Sequence, residues 1–143
     1  MCIRDRASVE GIVRLAIALL RSQKTPIHLE VTGVLHYGGA DIDALRVVQN
    51  LLVNAVREAA RAEGEVRVEL ADGVLRITNP VAHGVPARLW EEGVSGASST
   101  GLGLTIARDA ARKIGWQLRH ELDGSRVSFV VTPAPTKEVR APN

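Results

Sequence analysis

The chain has 143 residues, 45% of them hydrophobic and 24% charged, a composition that suits one domain with an apolar core. Its formal net charge is only +2, its basic residues form no long block and aromatic residues make up 3%, so nucleic acid is not a favoured partner. One cysteine excludes an internal disulfide and a cysteine-type zinc site, and the longest apolar run is too short to cross a bilayer, so we expect a cytoplasmic segment without membrane contact.

The first regular elements are a helix and a strand. Apolar residues recur at helical spacing from Val9 onwards and predict a helix over 8–22, which ends before the Thr25-Pro26 pair. Alternating apolar and polar residues after Pro26 predict strand over 27–37, in a short hairpin-like region punctuated by Gly33.

The most strongly periodic helix comes next. We expect Asp41 or Asp43 to be its N-cap and Gly64 to end it. Residues 79–100 are rich in glycine, serine and proline and predict an irregular stretch, in which only 86–92 favours a helical turn.

The last third of the chain predicts another helix, over 102–114. Two hairpins are also predicted, each with an Asp-Gly turn: 65–70 with 74–78 through Asp72-Gly73, and 117–122 with 126–132 through Asp123-Gly124. Hairpins beside helices predict an α+β fold, a two-layer sandwich in which helices cover one face of a mixed, mostly antiparallel sheet.

Three motifs carry chemistry, and the first lies in the long helix. Asn50 and Asn54 are spaced i and i+4, with Arg57 close to one turn further on, so all three share one face. Amide oxygens can join phosphate oxygens and water in the shell of Mg²⁺, and an arginine can bind phosphate. The alternative is an amphipathic helix whose asparagines only face solvent.

The second motif is the run from Ser99 to Thr105, which contains Gly101, Leu102 and Gly103 and leads into a helix. Glycines let the chain approach an anion closely, and the free N–H groups of a helix start attract phosphate. By itself a Gly-x-Gly is more often a simple turn. The run matches neither the Rossmann fingerprint nor the phosphate-loop motif of nucleotide-binding proteins.

The third motif is Thr78-Asn79-Pro80, followed by Gly84 and Val85. Asn79 offers both a donor and an acceptor to the edge of a base, provided that a pocket forms there. Alone, an Asn-Pro pair is more typical of a turn.

In this order and spacing, the three motifs resemble the ATP-binding catalytic domain of sensor histidine kinases, in the GHKL ATPase superfamily, over residues 27–132. The segment 50–55 resembles the N box of that family. The resemblance implies that Asn54 binds Mg²⁺, that Asn50 lies in the nucleotide site and that Arg57 reaches a phosphate. Gly101, Leu102, Gly103 and Leu104 resemble the G2 box that closes over the triphosphate, and 89–93 resembles the F box of the ATP lid.

The sequence departs from the family at the G1 box, usually Asp-x-Gly-x-Gly, whose aspartate accepts a hydrogen bond from the adenine amino group. Asn79 takes the place of that aspartate, Gly84 resembles the second glycine displaced by one residue, and Val85 fits the apolar position after it. An asparagine oxygen can accept the same bond, although the negative charge is lost.

None of the four histidines, 28, 36, 83 and 120, has the sequence setting of the family's phosphoacceptor, so we expect them to be surface or strand residues. The resemblance implies a histidine on a separate dimerisation domain and a response regulator downstream, and the helix over 8–22 resembles the end of a dimerisation segment. We therefore expect 1–24 to be an N-terminal extension that includes this helix, 25–133 to be the ATP-binding domain and 134–143 to be a mobile tail.

The resulting hypothesis is a protein histidine kinase domain that binds ATP and Mg²⁺ and donates the γ-phosphate to that outside histidine. The altered G1 box motivates an alternative, a regulatory nucleotide-binding module, similar to anti-sigma factors or degenerate kinases, with little catalysis. A small interaction domain that binds no nucleotide is the third possibility.

Overall fold

A computed structural model describes residues 7–20, 24–81 and 102–134 of the chain. The predicted site residues Gly84, Val85 and Gly101 lie outside the described residues, as do the predicted helical turn, the F-box segment and nearly all of the predicted tail. In chain order the described elements are β1 (Ala7–Ser8), α1 (Glu10–Leu19), β2 (Ile27–Val31), β3 (His36–Tyr37), α2 (Asp41–Arg61), β4 (Val66–Ala71), β5 (Val74–Pro80), α3 (Leu102–Lys113), β6 (Trp116–Asp123) and β7 (Arg126–Pro133).

Five of the strands form one mixed sheet in the order β2-β4-β5-β7-β6. β2 and β4 pair in parallel and the other neighbours pair antiparallel, while β1 and β3 form a separate two-stranded ribbon. The predicted α+β sandwich is therefore confirmed. Both predicted hairpins are present, but the second turns at Gly124-Ser125, because Asp123 still pairs with Arg126.

The apolar core lies between the helices and one face of the sheet. α2 contributes Leu51, Leu52 and Ala55, which are fully buried, and β5 contributes Leu75 and Ile77 from the sheet. Burying each large aliphatic side chain stabilises the fold by about 1.5–3 kcal/mol, so this shared core fixes α2 against the sheet. No helix in the described ranges is long and apolar enough to span a membrane.

α1 packs into the same core. Its residues Val13 and Ala16 are fully buried within one cluster with residues of α2, and β1 pairs with β3 just before α2 begins. The domain boundary at residue 25 stays a prediction. α1 runs from Glu10 to Leu19, ten residues, and is shorter than the predicted helix over 8–22. Residues 21–23 lie outside the described residues.

The strand predicted over 27–37 is confirmed at 27–31 and 36–37, but the predicted hairpin-like region is wrong, because β2 pairs with β4 and β3 pairs with β1. The backbone N–H groups of Thr32 and Gly33 both donate to the carbonyl of Leu70 at 2.8 and 3.2 Å, which turns the chain away from β4. Gly33 is required at this turn, since a Cβ there would lie 2.3 Å from the backbone nitrogen of Asp72.

The predicted capping of α2 is also wrong. The N-cap is Ala40, and no side chain caps the helix. Asp41 lies in the first turn, where its Oδ1 accepts a hydrogen bond of 2.7 Å from the hydroxyl of Tyr37. Asp43 also lies in the first turn, so both aspartates favour the positive end of the helix dipole without capping it.

Candidate functional site

α2 presents a polar strip beside its buried apolar side. At 100° per residue Asn50, Asn54 and Arg57 fall within about 60° of one another. The two asparagines are half-buried and the arginine is exposed. The amide nitrogen of Asn50 donates to the backbone carbonyl of Arg46 at 2.7 Å, which holds that side chain along the helix. The structure therefore brings together the three α2 residues that the sequence predicts.

Two side chains of this strip are available to a ligand. Within the described part of the chain, neither Asn54 nor Arg57 forms a side-chain hydrogen bond or an ion pair. Arg57 also lines a groove of about 410 Å³ between the end of α1 and α2, whose floor includes Leu20 and Val53. The strip thus has a free amide and a free guanidinium one turn apart.

A fourth polar residue on this strip was missed by sequence reasoning. Arg61 is one turn beyond Arg57, at the C-terminal end of α2, and its Nη1 lies 3.5 Å from Oε2 of Glu58. The i+4 spacing was a usable signal, because it continues the face that begins at Asn50.

Asn79 is the one amide or charged residue among the buried side chains of the described chain, with 1% of its surface exposed. The predicted turn at Asn79-Pro80 is wrong, because both residues continue β5 and pair with Val127 and Arg126 of β7. Pairing with β4 ends one residue earlier, at Thr78. Strand alternation therefore directs Asn79 to the helix side of the sheet, as it does Ile77.

The amide of Asn79 is only half satisfied. Its nitrogen donates to the carbonyl oxygen of Pro80 at 2.9 Å, so the other amide atom must be the oxygen. That oxygen, Oδ1, is buried and has no hydrogen-bond partner among the residues that the structure describes. A buried acceptor without a donor costs about 1–3 kcal/mol, which is recovered when a ligand supplies an N–H group.

The start of α3 is the third part of the site. Leu102, Gly103 and Leu104 form the first turn of this helix, in which no acidic residue lies. Free backbone N–H groups at a helix start favour an anion. α2 packs against both α3 and β5, so the three elements that carry the predicted motifs are neighbours.

The donors of this site are amides rather than carboxylates or imidazoles. The described residues contain no group of three or more His, Cys, Asp and Glu side chains able to hold a metal ion. Any Mg²⁺ held here needs ligands beyond the described side chains, and the phosphate oxygens of a nucleotide are suitable ones.

Three of the four histidines lie in strands, as the sequence predicts, while His83 is outside the described residues. Nε2 of His28 lies 2.8 Å from Oε1 of Glu65, and the ring of His120 lies 6.4 Å from that of Phe129. His36 is exposed in β3.

A family model for histidine kinase-, DNA gyrase B- and HSP90-like ATPases matches residues 39–136, which include α2, β5, α3 and both hairpins. No curated protein sequence matches the chain. The match covers all of the predicted site residues, although it assigns no role to any of them.

Three solved structures with a similar fold come from proteins named as histidine kinases. The mycobacterial sensor histidine kinase MprB has a TM-score of 0.65 at 20% identity, over 92% of this chain and 98% of that one. The catalytic domain of histidine kinase ThkA has a TM-score of 0.64 at 22% identity, over 94% of this chain and 97% of that one. The Acinetobacter baumannii histidine kinase AdeS has a TM-score of 0.62 at 14% identity, over 92% of this chain and 68% of that one. These likenesses concern the fold, and none of them favours the regulatory alternative.

Proposed function

This chain belongs to the family of histidine kinase-, DNA gyrase B- and HSP90-like ATPases, and from that premise we propose that it is the catalytic domain of a sensor histidine kinase. It binds ATP with Mg²⁺ and presents the γ-phosphate to a histidine on a dimerisation domain, from which a response regulator then receives the phosphoryl group. Three similar folds, those of MprB, ThkA and AdeS, belong to proteins named as histidine kinases, which supports this choice within the family.

The orphaned oxygen of Asn79 is the observation that carries the proposal. It is a buried acceptor whose amide nitrogen is already used, so the orientation of the amide is fixed. The exocyclic amino group of adenine is a donor of the required kind, whereas the carbonyl of guanine at that position is an acceptor and would repel Oδ1. Asn79 therefore favours adenine, even without the negative charge of an aspartate.

The polar strip of α2 supplies the phosphate end of the site. Asn54 offers its amide oxygen to Mg²⁺, Asn50 borders it, and Arg57 and the first N–H groups of α3 neutralise phosphate charge. ATP supplies the phosphoryl group and its Mg²⁺ draws charge from the phosphate oxygens, so these residues mainly hold and neutralise. We place this activity in the cytoplasm, where ATP is available.

The first experiment is calorimetric titration of the chain with a non-hydrolysable ATP analogue, with and without Mg²⁺. We expect Asn54→Ala to abolish the Mg²⁺-dependent part of binding without lowering the melting temperature, because the side chain makes no protein hydrogen bond among the described residues. The matched control is Gln49→Ala, a half-buried polar residue of the same helix off the strip. Equal Mg²⁺-dependent binding by Asn54→Ala would refute the assignment.

A transfer experiment separates the kinase from a nucleotide-binding module. Labelled ATP is incubated with the chain and a separately expressed histidine-bearing dimerisation domain, and acid-labile label on that domain is measured. Label that disappears with Asn54→Ala supports the kinase. Tight nucleotide binding without any transfer across a panel of such domains would contradict it.

A further inference from the structure

The face of the sheet opposite the helices carries a row of polar side chains. Strand alternation places Asn79 and Val66 on the helix side and their neighbours Thr78 and Arg67 on the open side. Arg67 is directly opposite Thr78, and Thr78 is directly opposite Ser128. This row lies on the other side of the sheet from the polar strip of α2.

Four arginines share this open face, and they fall into two pairs. Arg76 and Arg119 both bind Glu121, at 2.8 and 3.4 Å, and the hydrogen bond from Arg76 is the main reason why the pKa of Glu121 is lowered. Arg67 and Arg126, by contrast, form no ion pair or hydrogen bond among the residues that the structure describes. Among the described residues, Arg67 and Arg126 therefore offer two unpaired guanidinium groups on this face.

Arg67 and Arg126 both line a cleft of about 370 Å³ at the end of the sheet where β4 begins and β5 ends. Two strand spacings and two residues of rise separate their Cα atoms, or about 12 Å. Two arginine side chains can close on a small ligand across that distance. Glu63 and Glu65 also line the cleft, and the carboxylate of Glu65 contacts the imidazole of His28.

The floor between the two arginines adds a hydroxyl donor. The Oγ atoms of Thr78 and Ser128 lie 2.8 Å apart, and only one of their two hydrogens can lie between them. When Ser128 donates to Thr78, the hydroxyl hydrogen of Thr78, which lines the cleft, is available to another acceptor. Two guanidinium groups with a hydroxyl between them match an anion that has several oxygens.

We propose that this cleft binds a small phosphate-bearing anion, held by Arg67 and Arg126 over the Thr78 hydroxyl. The cleft lies on the opposite face of the sheet from the α2 strip, and Asn79, the proposed adenine contact, is among the residues that line it. The shared chemistry is a phosphate group, whether free or esterified to a small molecule.

The test is nuclear magnetic resonance titration of the full chain with inorganic phosphate, followed through the side-chain Nε–H signals of Arg67 and Arg126. We expect saturable shifts of both signals and of the backbone amides of β5 and β7. Glycerophosphate serves as the esterified probe and acetate as the carboxylate comparison. Binding at the α2 strip would instead shift the backbone amide signals of α2 and α3, so the titration distinguishes the two sites.

The variants Arg67→Gln and Arg126→Gln are each expected to weaken phosphate binding about fivefold, since each removes one exposed charged donor. Arg119→Gln is the matched control on the same face and is expected to leave binding unchanged. Similar shifts with either phosphate probe would support a site for the phosphate group, and preference for one probe would identify its form. No saturable shift with either, equal binding of acetate, or equal weakening by Arg119→Gln would overturn the proposal.

Discussion

Two regions of the molecule bury a polar side chain, and they treat it in opposite ways. At the corner between β3, α2 and β6, Tyr37 is buried but its hydroxyl donates to Asp41 at 2.7 Å, and its ring lies edge-on to Trp116 with centroids 5.9 Å apart. At the end of β5, Asn79 is buried more deeply and its Oδ1 has no partner within the described ranges. A buried polar group that the fold satisfies stabilises structure, whereas one that the fold leaves unsatisfied costs stability and is available to a ligand.

The corner has a further bond that ties the β1-β3 ribbon to the main sheet. Nε1 of Trp116 donates to the backbone carbonyl of His36 at 3.0 Å, and Trp116 is only 2% exposed. Because all of these partners lie within the protein, we expect substitutions here to change the free energy of unfolding and to leave nucleotide affinity almost unchanged.

The largest expected effect comes from Trp116→Ala. Loss of the buried indole should lower the free energy of unfolding by about 3–5 kcal/mol, through the cavity and the lost bond to His36. Urea unfolding measures this value, and calorimetry below the transition measures nucleotide affinity. An unchanged free energy of unfolding, or a folded variant that no longer binds the ATP analogue, would contradict the distinction between the two regions.

Asn79→Leu tests the end of β5, where we expect higher stability and weaker nucleotide binding. Leucine removes the unsatisfied amide at similar volume, so the free energy of unfolding should rise by about 1 kcal/mol while affinity for the ATP analogue falls at least about tenfold. Asn79→Asp is the control, since it keeps an acceptor: we expect binding to be kept or tightened, and stability to fall because the donor to Pro80 is lost. A leucine variant that binds as well as the parent would contradict the role of Asn79.

The smallest effect is expected from Tyr37→Phe, which should lower stability by about 1 kcal/mol and leave nucleotide binding unchanged. Burial is the main reason that the pKa of Tyr37 is raised from 10.0 to about 12, and the hydrogen bond to Asp41 raises it further. The unfolded chain loses this proton first, so the stability contributed by Tyr37 is complete below pH 10 and is lost as the pH rises towards 12.

Tyr37 is the only tyrosine of the chain, so its titration can be followed directly by ultraviolet absorbance. We expect phenolate to form near pH 12 in the folded protein, and the stability of Tyr37→Phe to depend less on pH above 10. Phenolate formation near pH 10 before unfolding would mean that the hydroxyl is not held as described.

Local sequence signals predicted most elements of the fold, and they failed where the partner of one side chain or backbone group decided the outcome. Periodicity identified α2 and both hairpins, because burial of one face leaves its repeat in the sequence. The helix cap was wrong because Asp41 binds Tyr37, and the strand region over 27–37 was divided because Thr32 and Gly33 bond to Leu70. Tyr37 lies only four residues before Asp41, whereas Leu70 lies 38 residues beyond Thr32 and cannot be read from the residues beside it.

The sequence by itself determined the polar strip of α2, since i and i+4 spacing on a helix leaves Asn50, Asn54 and Arg57 no other arrangement than one face. It also placed Asn79 at a sheet end, as part of a motif. Only the tertiary structure decided that Asn79 continues β5, turns towards the helices and buries an unsatisfied oxygen. Pairing with β7 sets this orientation, and β7 lies more than 40 residues further along the chain. The same pairing brings Arg67 and Arg126 to one cleft on the opposite face.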